Sequence, residues 1–322
     1  MINISILAVP GCLHSAVYGI EEILCMANNL NGSPAFNYQV LSADSKPVET
    51  YAGTRITPAA SISDAQQDII ILPPLLGTVD GVAADREITD WLRQQHSAGT
   101  LITSVCAGSF LLAETGVLDG REATTHWKLA EQFRTRYPLV NLHIERLIVD
   151  GGDYICAGGI SAWMDLALHL ITRHAGRKIS LQCAKIMLMD PHRELQTPYG
   201  LGGFQKNHGD TAILDAQEWI EKNYATALYV KEMADAALLG ERTFLRRFRA
   251  ATGHTPTQYL QQVRIEAAQR LLETTNLSVE DVASAVGYGD YSTFRKLFKR
   301  IMGATPSAYR QRFGLHAGSQ KR

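Results

Sequence analysis

The sequence has no run of about 18 consecutive apolar residues, so it offers no membrane span. Cysteine is scarce and scattered: Cys12, Cys25, Cys106, Cys156 and Cys183 are five in number and nowhere spaced as CxxC. An odd, dispersed set argues against a disulfide framework or a structural zinc, and fits a reducing compartment. No cofactor and no metal is expected. Net charge is almost absent as well, −1 over 322 residues. With 46% hydrophobic and 20% charged residues, disordered and fibrous classes are excluded. The opening stretch MINISILAVPG lacks a basic region ahead of its apolar residues and a small-residue cleavage site after them, so it is expected to be a first β-strand rather than a signal peptide.

The near-zero charge conceals a division. Residues 1–210 hold 15 Lys and Arg against 21 Asp and Glu, a net of −6, whereas residues 211–322 hold 16 against 11, a net of +5. An acidic large part joined to a basic small part points to a nucleic-acid-binding module at the C-terminal end, or else to chance surface composition. Motifs must decide between them.

Within the acidic part, β-branched runs at 2–9, 38–42, 68–72 and 101–105 alternate with amphipathic stretches at 14–29, 85–97, 107–115 and 128–136. That alternation predicts βαβ units and a mostly parallel sheet covered on both faces, an α/β sandwich of flavodoxin-like character. A hairpin is expected over 142–157, turning at Asp150-Gly151-Gly152-Asp153. Two helices, 160–174 and 177–189, then flank Gly176. Pro191, Pro198, Gly200, Gly202, Gly203 and Gly209 crowd the next 20 residues without apolar periodicity. The expected organisation is therefore a sensor-type α/β domain over 1–189, a linker over 190–209, an all-α domain over 210–313 and a flexible tail over 314–322.

The basic part repeats itself. Shifted by 50 residues, Thr243, Phe244, Phe248, Gly253, Thr255, Pro256 and Tyr259 coincide with Thr293, Phe294, Phe298, Gly303, Thr305, Pro306 and Tyr309, seven identities in 17 positions. Upstream, Val230, Ala234 and Ala236 match Val279, Ala283 and Ala285 at a shift of 49, so one turn is a residue longer. Each copy has the build of a helix-turn-helix: a short helix, a turn (Leu238-Leu239-Gly240 or Gly287-Tyr288-Gly289), and a second helix with Phe at i and i+4. The Phe pairs belong to the core. The outer face then carries Arg242, Thr243, Arg246 and Arg249 in one copy and Ser292, Thr293, Lys296, Lys299 and Arg300 in the other. Long cations and small hydroxyls suit base edges and phosphates in a major groove. One basic face could be merely solvated; two at matching positions favour double-stranded DNA. Residues 258–273 read as one connecting helix, about 24 Å long, with Leu260, Val263, Ala267 and Leu271 inward. Such a spacer suits neighbouring major grooves on DNA bent slightly toward the protein.

With these residues in view, 211–312 closely resembles the AraC/XylS family of bacterial transcription regulators. The resemblance rests on SVEDVASAVGYGDYSTFRKLFKRIMGATPSAYR (278–310) and GERTFLRRFRAATGHTPTQYL (240–260). It implies two helix-turn-helix units on one DNA face, with Arg242, Leu245 and Arg246, and Ser292, Thr293 and Lys296, facing bases. Gly240 departs from the Ser often found there as N-cap, a tolerated change. Homodimerisation, contact with RNA polymerase, promoter activation and a cytoplasmic, nucleoid-associated location are further expectations that the resemblance carries.

In the acidic part, Cys106 falls at a strand-to-helix turn, where helix N–H groups favour a thiolate. Thr124-Thr125-His126-Trp127 follows some 20 residues on and could bring an imidazole to the sulfur; an inert, half-buried thiol is the alternative. The run CAGSFLLAETGVLDGREATTHW (106–127) resembles the ThiJ/PfpI or class I glutamine amidotransferase-like domain, over roughly residues 2–190. Paired with an AraC-type module, this resemblance implies a regulator that senses a small nitrogenous metabolite, with Cys106 the elbow residue and His126 its neighbour.

Two departures count against catalysis. The stretch HSAVYGIEE places small or apolar residues where enzymes of the superfamily carry an acid, with Glu21 and Glu22 further on. Pro73-Pro74-Leu75 stands in place of the usual Gly-Gly, and Pro74 has no N–H to donate. The domain is thus expected to be non-catalytic, with Leu75, Cys106, His126 and Gly159 converging on an effector at the carboxyl ends of the strands and Asp165 on a helix nearby. A Cys106-dependent amidase or hydrolase using His126, or a redox sensor acting through Cys106, is the alternative.

Overall fold

The computed structural model describes residues 1–63, 67–77, 79–200, 204 and 206–315. The chain divides into two compact units, Met1–Gln196 and Thr197–Arg322. Residues 316–322 of the expected tail lie outside the described residues.

The first unit is built on a seven-stranded sheet. Its strands are β1 (Ile2–Leu7), β2 (Phe36–Ser42), β3 (Ala60–Ser61), β4 (Ile69–Leu72), β5 (Leu101–Val105), β6 (Ile148–Asp150) and β7 (Tyr154–Ala157). They lie in the order β6-β7-β5-β4-β1-β2-β3. All pairs are parallel except the β6–β7 hairpin. Every residue of β4, β5 and β7 is buried, as strands covered on both faces must be. The expected α/β sandwich is thus borne out. The covering helices are α1 (His14–Asn31), α2 (Arg86–Ser97), α3 (Gly108–Glu114), α4 (Ala130–Arg136), α5 (Trp163–Ala175) and α6 (Arg177–Ile186). Helix α1 packs on α5 and α6, and α2 packs on α3. Gly19 of α1 exists for this contact: a Cβ there would stand 2.4 Å from the Trp163 ring.

The stretch 190–209 does not behave as one spacer. Its first residues are fastened to the first unit: Leu147 N–H donates to the Glu194 carbonyl at 2.8 Å, and Gln196 N–H donates to that of Glu145 at 3.1 Å. Further on, Tyr199 stacks edge-on against Phe313 and Phe204 packs on Tyr259 in the second unit. Pro and Gly content announces irregular backbone, and these contacts show that irregular backbone is anchored here.

The described residues of the second unit form helices: α7 (Thr211–Asn223), α8 (Val230–Ala236), α9 (Glu241–Thr252), α10 (Pro256–Thr274), α11 (Val279–Ala285), α12 (Tyr291–Met302) and α13 (Pro306–Phe313). Two cores form. Met233, Phe244, Phe248 and Tyr259 centre the first, and Val282, Phe294, Phe298 and Tyr309 the second. The repeat extends to side-chain chemistry, since Tyr259 donates to Glu221 at 2.6 Å and Tyr309 to Glu273 at 2.5 Å. Connecting helix α10 joins the cores, giving Leu260 and Val263 to the first and Ala267, Ala268 and Leu272 to the second. Leu272, not Leu271, is the buried leucine at its end.

Both turns use a left-handed residue. Leu238 takes φ 54° in one copy and Gly287 takes φ 89° in the other. Gly287 has no freedom to change, because an added Cβ would sit 2.9 Å from the carbonyl oxygens of Tyr224 and Ala225. We expect Gly287→Ala to destabilise the second unit by about 1–3 kcal/mol in urea denaturation, through strain and backbone crowding. An unchanged midpoint would contradict this packing.

Candidate nucleic-acid interface and effector region

Helix α9 begins after Gly240, which offers no side-chain cap. Below its surface lie Phe244 and Phe248; above it, Arg242, Thr243, Leu245, Arg246 and Arg249 are all exposed. Arg247 is different. It bonds Asp210 through two nitrogens, at 2.9 and 2.6 Å, and Asp210 also caps α7. That pair ties α9 to the first helix of the unit and removes Arg247 from the basic face. In α12, Phe294, Leu297 and Phe298 are buried while Ser292, Thr293, Lys296, Lys299 and Arg300 are exposed. The structure therefore presents each residue expected at DNA on the outer side of its helix.

One residue of this face escaped the sequence reading. Asp290 caps α12, accepting from the backbone N–H groups of Ser292 at 3.2 Å and Thr293 at 2.7 Å, and from the Thr293 hydroxyl at 2.5 Å. The Thr293 hydroxyl first, then those N–H groups, hold the Asp290 carboxyl below its ordinary range. An Asp directly before a helix-opening Ser-Thr is the signal that marks it. Helices α9 and α12 thus differ at their N-termini, α12 capped by a carboxylate and α9 by bare glycine.

In the first unit, Cys106 occupies the turn between β5 and α3 with φ 55°, a strained conformation for a residue with a Cβ. Two features hold it there. Its N–H donates to the Ala157 carbonyl at 2.7 Å, and Gly108 allows α3 to approach β4, where a Cβ would meet the Leu72 and Pro73 oxygens at 2.8 Å. The Ser109 and Thr125 hydroxyls each stand 2.9 Å from the Cys106 carbonyl oxygen and 2.8 Å from one another.

The thiolate expectation is corrected. Burial pushes the Cys106 thiol up to about 12, with the Ala107 backbone opposing weakly, so desolvation outweighs the helix terminus and the sulfur stays protonated. The anticipated Cys106–His126 pair does not form either. His126 turns its Nδ1 to the Lys128 N–H at 3.1 Å, capping a short helical turn, and its ring stacks on Trp127. Burial, and then Lys128, lower its proton affinity. Leu75 is buried and paired with Cys12 in an isolated bridge. Cys106, Thr125 and Gly158 are brought together; no hydrogen bond joins His126 or Leu75 to the thiol. Gly159, at φ 93°, opens the turn into α5. Asp165 lies in that helix, bonded by Arg193.

Gln196 is a second residue the sequence did not announce. Its amide accepts from Trp127 N–H at 3.1 Å and donates to the Thr125 carbonyl at 2.8 Å, the Thr124 hydroxyl at 3.1 Å and the Arg146 carbonyl at 3.2 Å. It fills the place beside Gly158 where any Cβ would intrude. The last residue of the first unit is thereby plugged into the loop that carries His126.

A profile of the DJ-1/PfpI family matches residues 20–173, and one described as a helix-turn-helix domain matches 233–312. The transcriptional regulator GbdR of Pseudomonas aeruginosa is 28% identical over 297 residues, covering 90% of this chain and 79% of its own. CdhR, another transcriptional regulator of that species, is 29% identical over 94% of this chain and 89% of its own. The chain thus joins a DJ-1/PfpI domain to an AraC-type helix-turn-helix domain, and over most of its length it is similar to HTH-type transcriptional regulators. The crystal structure of an AraC family regulator from Pseudomonas putida shares the fold, at TM-score 0.53 and 18% identity, over 58% of this chain and all of that one.

The site geometry makes a chemical prediction. On brief treatment of the folded regulator with iodoacetamide at neutral pH, peptide mapping should find exposed Cys25 alkylated and Cys106 protected at least about tenfold. Preferential loss of the Cys106 thiol would contradict the protonated, buried state.

Proposed function

We propose that this regulator grips double-stranded DNA with α9 and α12 in consecutive major grooves, and that its first unit senses a small, nitrogen-containing metabolite without turning it over. The observation that carries the DNA reading is the doubled basic face. Arg242, Thr243, Leu245 and Arg246 stand on α9 and Ser292, Thr293, Lys296 and Lys299 on α12, over matching aromatic cores. Arg246 and Arg242 suit guanine edges, whereas Lys299 suits phosphate. Helix α10, 19 residues and about 28 Å long, supports a spacing near one helical turn of DNA. Activation of transcription, action as a homodimer and contact with RNA polymerase in the bacterial cytoplasm complete the proposed role.

For the first unit, the protonated Cys106 and the diverted His126 support sensing over hydrolysis, since acyl chemistry needs an activated nucleophile beside its base. The proposed effector region remains the strand-end turn of Leu75, Cys106, His126 and Gly159. A metabolite there would bear on Gln196 through Thr125 and Trp127. It acts as a signal only by binding two arrangements of the protein unequally.

On a cognate operator, Arg246→Ala should cost about 1–3 kcal/mol and relax preference at one base pair. Lys299→Ala should instead weaken all sequences alike and flatten the slope of log affinity against log salt by about 1. Fluorescence anisotropy over a salt series separates the two; wild-type affinity for both variants would refute the assignment.

A further inference from the structure

A cavity of about 520 Å³ opens in the first unit where β6, α5 and α6 meet the segment 191–195. Leu75, Cys106, His126 and Gly159 do not line it. Leu168 and Leu195 give it apolar wall, and Arg146, Asp150, Asp165, Arg193 and Glu194 bring charge of both signs. Asp150 is already engaged, by His169 at 2.8 Å and by the Gly152 N–H at 2.9 Å. Asp165 depends on the segment itself. Arg193 bonds both its oxygens and also reaches the Ser161 hydroxyl at 3.3 Å.

The two partners of this pair are unequally committed. The Asp165 side chain is 10% exposed and fixed within α5, while that of Arg193 is 25% exposed and flanked by exposed His192 and Glu194. An ionised Asp165 without a cation would be a buried unpaired charge, which is strongly destabilising. Any exchange at this pair therefore favours a group that replaces the guanidinium and disfavours one that replaces the carboxylate. Room beside the apolar wall is ample for a short hydrocarbon body.

We propose that this cavity binds a small organic cation, a guanidinium or primary ammonium on a short aliphatic body, whose charged end takes the place of Arg193 on Asp165. Its body lies along Leu168 and Leu195. The exchange keeps Asp165 paired and releases its bond to Arg193, removing one tie between α5 and the segment 190–196. Since that segment runs on in sequence into the DNA-binding unit, loosening it gives a cation a route to the regulator's output that is separate from the strand-end turn.

The test is calorimetric titration of the full chain with n-butylguanidinium, with pentanoate as the anionic control and no DNA present, so that failure here leaves the DNA reading standing. Saturable binding of n-butylguanidinium and none of pentanoate is expected. Asp165→Asn should weaken binding by on the order of tenfold or more. Arg193→Gln, which removes the internal competitor, should tighten it by on the order of threefold to tenfold. Hydrogen exchange over 190–196 should quicken when n-butylguanidinium is bound. Absence of saturable binding, equal binding of pentanoate, or weaker binding by Arg193→Gln would overturn the proposal. Should Asp165→Asn fail to fold, the Arg193→Gln result decides.

Discussion

The burial of one helix in two cores at once is the constraint on which the DNA-binding half depends. Helix α10 places Tyr259, Leu260 and Val263 in the first aromatic cluster and Ile265, Ala267, Ala268 and Leu272 in the second. Neither cluster can rotate about α10 without exposing its own share of apolar surface, at roughly 25 cal/mol per Å². Helices α9 and α12 are fastened to those clusters by Phe244 and Phe248, and by Phe294 and Phe298. Their basic faces are therefore presented as a fixed pair. Gly287 and Leu238, in left-handed turns, set how each of these helices leaves its partner.

The first unit shows how local packing sets the state of a thiol at a strand-to-helix turn. The strand-end turn, the tight approach of α3 to β4 and the strained Cys106 are all in place. The surroundings of the sulfur decide its state. Full burial keeps it neutral, and the neighbouring hydroxyls of Ser109 and Thr125 are spent on the Cys106 carbonyl. His126 serves its own helical turn. The polar network runs instead toward Gln196, at the boundary between the two units. The strand-end turn thus stands in a polar network that leads through Thr125 to Gln196.

Much of this was legible in the sequence, for identifiable reasons. Buried parallel strands are rich in Ile, Leu and Val, so β1, β4 and β5 were visible, whereas β3, two residues long, carries no periodicity. The helix-turn-helix repeat was visible because its cores demand the same rings and the link after each second helix the same Gly, Thr and Pro. Exposure of Arg246 or Lys296 followed from their spacing around the Phe pairs. Pairings distant in sequence were not legible: Arg247 with Asp210, Arg193 with Asp165, and Gln196 with Thr125 connect residues through folding alone. The acidity of Cys106 belongs to that group too, because the helix terminus beside it is local while the burial that overrides it comes from β4, β7 and their neighbours.

Hydroxyl-radical and guanine-methylation footprinting of the full-length regulator on its operator tests the central claim most directly. The account predicts two protected major-groove segments on one face of the duplex, about 10 base pairs apart, both lost when the aromatic core beneath either helix is disrupted. Protection confined to a single segment, or two segments on opposite faces, would contradict the joint presentation of α9 and α12.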